Sequence, residues 1–92
     1  MKYKVVWIHR VLDRVTELCN SAIESGKTVA DITQAMARID KTLEQNPQQQ
    51  GESRSGPERI LFDPPLSVHF DIDEEERVVV VLAVGYLPRQ HE

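Results

Sequence analysis

Leu66-Ser67-Val68-His69-Phe70-Asp71-Ile72-Asp73 is the stretch on which the fold turns. Apolar and polar side chains alternate with a period of two, the pattern of a strand with one buried and one wet face. Asp73-Glu74-Glu75-Glu76 then makes an acidic turn. Arg77 to Val84 is a nearly continuous valine run, apolar on both faces, as a strand near the middle of a sheet must be. At an exposed edge that run would aggregate, so the acidic turn beside it also serves as a gatekeeper. Upstream, Arg59-Ile60-Leu61-Phe62 is a third short strand, stopped by Asp63-Pro64-Pro65.

Working outward, the period changes. Val11, Leu12, Val15, Leu18, Cys19, Ala22 and Ile23 mark one stripe of an amphipathic helix, and Gly26 offers a left-handed C-cap. Val29, Ile32, Met36, Ile39 and Leu43 repeat at helical spacing, with Thr28 and Asp31 at the positions of a capping box. Asn46-Pro47 ends that helix, because the residue before proline is pushed out of helical geometry. The short link Ser25 to Lys27 makes the two helices an antiparallel hairpin. The β-branched and aromatic segment Lys2 to His9 reads as a first strand, paired beside the valine strand to bury Tyr3, Val5 and Trp7.

The predicted architecture is α+β: β-αα-βββ, a helical hairpin packed on one face of a mainly antiparallel four-stranded sheet. The other face, with Ser67, His69 and Asp71, stays open to solvent or a partner. Residues 1–92 form a single domain, with 47–57 a surface loop and 85–92 a flexible tail. A chain of 92 residues has room for one core only. One cysteine excludes an internal disulfide framework, and Cys19 lies in a core stripe, so packing is its expected role. His9 and His91 have no carboxylate or cysteine at metal-ligand spacing, and neither a metal nor a cofactor is expected. The longest apolar run, Val78 to Val84, is seven residues, against roughly 20 for a membrane-spanning helix. A cytoplasmic domain without membrane contact is expected.

Charge is uneven. Residues 1–46 hold seven basic and six acidic side chains, and residues 47–92 hold four basic and nine acidic, for a net −4. Nucleic-acid binders usually carry a basic excess, because phosphate neutralisation supplies most of their non-specific affinity. This chain has none, so any grip on phosphate must be local.

Several stretches, taken in order, resemble the RelE/ParE superfamily of bacterial toxins: Val5-Val6-Trp7; Ala37-Arg38-Ile39-Asp40 through Leu43 to Asn46-Pro47; Gly51-Glu52-Ser53-Arg54; Arg59-Ile60-Leu61-Phe62; Pro65-Leu66-Ser67-Val68; and the terminal valine strand. The resemblance implies the toxin half of a type II toxin–antitoxin pair, with an antitoxin helix packed against the domain. The RelE type is a metal-independent endoribonuclease that cuts messenger RNA on the ribosome. The resemblance then implies Arg54 and Arg59 for phosphate and transition-state charge, His69 or Tyr86 for a proton, and Arg89 as an auxiliary phosphate contact. The RelE type usually has an arginine just after the glycine that closes the last strand. Here Gly85 is followed by Tyr86-Leu87-Pro88-Arg89, so Tyr86 and Arg89 are displaced counterparts. The ParE type keeps the fold without the nuclease set and poisons DNA gyrase by binding it. A divergent, non-catalytic member serving as a protein-binding adaptor is the remaining alternative.

Each candidate also has a plain structural explanation. Arg54 can anchor its loop through Glu52 or Glu58, and Arg59 can make a cross-strand pair with Asp71 or Glu58. His69 has a side chain whose ordinary pKa, about 6.5, suits proton transfer, and an exposed strand histidine is also commonly neutral to function. Ser67, His69 and Asp71 do not make a hydrolase triad, because strand residues two apart lie about 7 Å apart.

Overall fold

A computed structural model describes residues 2–49, 52–53 and 58–87. Strand β1 (Lys4–Trp7) leads into helices α1 (His9–Glu24) and α2 (Ala30–Gln45). A 3-10 turn (Pro47–Gln49) and a two-residue strand β2 (Glu52–Ser53) follow, then β3 (Arg59–Asp63), β4 (Leu66–Asp73) and β5 (Val78–Tyr86). The sheet order is β1-β5-β4-β3-β2, with β1 parallel to β5 and every other neighbour antiparallel. The four expected strands are all present, and the valine strand is flanked on both sides. The addition is β2, which lies with the 3-10 turn inside the stretch read as a featureless loop. Strand β5 also takes in Gly85 and Tyr86, both from the expected tail; residues 88–92 lie outside the described residues.

Helix α1 buries Val11, Val15, Leu18 and Ala22, while Leu12 and Ile23 on the flank of its stripe stay 40% and 63% exposed. It ends in a Schellman arrangement: Lys27 N–H donates to the Ala22 carbonyl at 2.8 Å and Gly26 N–H to that of Ile23 at 3.0 Å. Gly26 has φ +73°, the left-handed conformation that glycine adopts without strain. Helix α2 buries Ile32, Ala35, Ile39 and Leu43. The expected capping box takes another form, since the Thr28 hydroxyl accepts from Ala30 N–H at 3.1 Å rather than from Asp31.

Both helices press on one sheet face, where Leu66, Val68, Phe70, Val79 and Val81 have no exposure at all. Motif residues lock the layers together. Trp7 Nε1 donates to Asp40 at 2.9 Å, and Arg38 reaches from α2 to Asp63 on β3 at 2.8 Å. At the far end Tyr3 donates to Glu74 Oε1 at 2.6 Å, and Gln48 donates to both. The Arg77 guanidinium lies 5.6 Å from the Tyr3 ring centroid. Gln48 thus ties the expected surface loop to Tyr3 and the acidic turn, and its neighbour Pro47 is fully buried.

A bulge sets the phase of the central strands. His69 pairs with Ala83 and Phe70 with Val81, which leaves Leu82 as the extra residue. Val79, Val81, Val84 and Tyr86 thus face the helices, and Ala83 and Gly85 face away from them.

Candidate functional site

Side chains of directly paired residues project to the same side of a sheet. Ser67, His69 and Asp71 alternate with the buried Leu66, Val68 and Phe70, so they occupy the face without helices. Gly85, Ala83 and Val80 oppose them on β5, and Phe62 and Ile60 oppose Ser67 and His69 on β3. On the β5 side, small residues therefore flank His69 and Ser67. Ser67 Oγ lies 2.8 Å from where a Cβ on Gly85 would fall, so only glycine leaves the hydroxyl its place.

His69 Nδ1 stands 2.8 Å from Glu58 Oε1, with the imidazole 36% and the carboxylate 43% exposed. Asp71 shares the face, and its Oδ1 is buried without a hydrogen-bond partner among the described residues. By strand parity Lys4 stands on this face against Asp71 and Asp73, with Glu58 beside His69. Among the described residues, no three His, Cys, Asp or Glu side chains gather at metal-ligating distance. This face can move protons, but these residues do not attract phosphate.

The remaining candidates do not join it. Arg59 pairs with Phe70, so it projects from the helix side of the sheet. That placement also rules out the expected pair with Asp71 or Glu58, and Glu58 turns to His69 instead. Tyr86 pairs with Leu66 on the same helix side and packs beside Leu18, Ala22 and Lys27 at the end of α1. Four residues along β4 and two strand spacings separate Arg59 from Tyr86, about 16 Å between backbones. Arg59, His69 and Tyr86 thus do not form one cluster on the open face, because strand parity and the bulge send them to different sides. Arg54 and Arg89 lie outside the described residues. Glu58 is the residue that sequence reasoning gave no part in the chemistry; its parity with Ile60 and Phe62 was the available signal.

By sequence, the chain matches no family model and no curated protein. By structure, it is similar to a chain of the RelBE2 toxin–antitoxin complex from Mycobacterium tuberculosis, with TM-score 0.70 and 17% identity over 94% of this chain and 99% of that one. It is also similar to the isolated RelE toxin of E. coli, with TM-score 0.62 and 16% identity over 96% of this chain and 87% of that one. The fold is RelE-like. The helical hairpin, the parallel first strand and the antiparallel meander all belong to this RelE-like frame, with no large part of the chain left over. Among the described residues, no helix of it is long and apolar enough to cross a membrane.

Proposed function

We propose that the chain is the toxin component of a type II toxin–antitoxin pair, working in the cytoplasm on ribosome-bound messenger RNA through the face of its sheet that the helices leave bare. The end-to-end likeness to a chain of a toxin–antitoxin complex carries this reading. The His69–Glu58 contact supplies its chemistry. In metal-independent cleavage the ribose 2′-oxygen bonds to the adjacent phosphorus while the bond from phosphorus to the 5′-oxygen breaks. The 2′-hydroxyl proton passes to the His69 imidazole, and the leaving 5′-oxygen takes a proton from water. Charge on the phosphorane needs a guanidinium, whose forked donors match phosphate oxygens. Arg54 is the candidate whose loop precedes Glu58, and Arg89 is the auxiliary one. Arg59 and Tyr86, on the helix side, are assigned to packing of that side in this reading.

The antitoxin would lay a helix along α1. Leu12 and Ile23 stand three turns apart on one flank, with the half-buried Cys19 between them, an apolar line of the kind a partner helix matches. The test is inducible expression in a bacterial host, with primer extension on ribosome-bound transcripts. Growth arrest with cleaved messages, relieved by co-expressing the antitoxin, is the expected result. Unimpeded growth with intact messages would end the reading.

A further inference from the structure

We infer that Glu58 is a positioning residue that fixes the tautomer of His69 and aims its second nitrogen at the reacting ribose. This rests on the RNA-cleaving reading above. Nδ1 lies 2.8 Å from the Glu58 carboxylate, which as an ion only accepts, so the contact holds when Nδ1 carries the proton. A neutral imidazole holding its proton at Nδ1 keeps a lone pair on Nε2, and which nitrogen is free is set by the bond the other one makes. A ring held by one carboxylate is also restricted in rotation, which a proton acceptor needs if it is to meet the 2′-hydroxyl in one geometry.

The surroundings are consistent with that task. His69 opposes Ala83, whose methyl group leaves the cross-strand position open, and the next such position holds Gly85. The bulge at Leu82 is what brings these two small residues to the bare face. Glu58 comes from the residue just before β3 and His69 from the middle of β4, so two paired strands hold the dyad. The imidazole remains 36% exposed, open to a ligand approaching from solvent.

The experiment compares the full-length protein with Glu58→Ala and His69→Ala. Long-range nitrogen–proton NMR of free protein reads the tautomer, and single-turnover cleavage of ribosome-bound messenger RNA reads the chemistry. The wild type should show a protonated Nδ1, and His69→Ala should lose about 10²- to 10⁴-fold in cleavage rate. Glu58→Ala should shift the ring toward the Nε2–H form and lose roughly tenfold or more of the same rate, with substrate affinity and melting temperature unchanged. Wild-type cleavage by Glu58→Ala, or a wild-type ring protonated at Nε2, would overturn the inference and leave the toxin reading standing. Wild-type protein that shows the Nδ1–H tautomer yet leaves RNA intact would remove the proton-transfer role together with the RNA-cleaving reading.

Discussion

Ser67 Oγ occupies the space beside Gly85, 2.8 Å from where a Cβ at that position would sit, so each residue sets the size its partner can have. Ser67 is also 8% exposed, which leaves its hydroxyl little room to swing away. Gly85→Ala should therefore cost about 1–3 kcal/mol of stability by overpacking. Adding Ser67→Gly should restore most of it, because the steric conflict is pairwise. Urea denaturation of the two single variants and the double variant reads the coupling; additive effects would show the contact to be unimportant.

Tyr3 predicts the alkaline limit of stability. Its hydroxyl donates to Glu74, and that bond, aided by burial and by the carboxylate charge, raises its pKa above the ordinary value of 10.0. The folded chain therefore holds this proton more tightly than the unfolded chain does. The stabilisation is fully present below about pH 10, the unfolded value, and is lost as pH climbs through the higher folded value. Wild type should be more stable than Tyr3→Phe at neutral pH, and the two stability curves should converge above pH 10. Parallel curves up to pH 11.5 or so would contradict the assignment.

Ile23 tests the antitoxin surface proposed along α1. At 63% exposure it gives little to the core, so Ile23→Asp should leave the melting temperature within about 2–4 °C of wild type. On the proposed toxin–antitoxin reading, combining it with Leu12→Asp should abolish co-purification with the antitoxin and leave growth arrest unrelieved. Undiminished co-purification would place the partner elsewhere on the domain.

Most of the fold was legible because periodicity was strong where burial was strong. Leu66 to Asp73 alternates since one side meets helices and the other does not, and Val78 to Val81 lacks alternation since Val79 and Val81 are buried while neighbours cover both edges. Gly26 announced the end of α1 because only a left-handed residue closes that turn cheaply. Strand β2 was illegible: two residues carry no period, and only pairing with Arg59 and Ile60 makes them a strand. The bulge at Leu82 was hidden for a related reason, because a run of similar apolar residues gives no sign of where the phase slips. That concealment decided the site. Without the register, Arg59 and Tyr86 could be imagined beside His69, although strand parity sends both to the helix side. Glu58 went unnoticed as chemistry because its meaning depends on a histidine eleven residues away across a strand pair.

Among the described residues β1 pairs with β5 alone, so Lys4 to Trp7 finds its place in the sheet only once the far-downstream Val78 to Val81 arrives beside it. Closing so long a loop is slow and comes late, since its entropy is lost before any pairing is gained. A nascent chain short of Val78 to Val81 cannot seat Val5 and Trp7 or complete the core beneath α1 and α2. The helical hairpin is therefore seated on a finished sheet only in that late closing step.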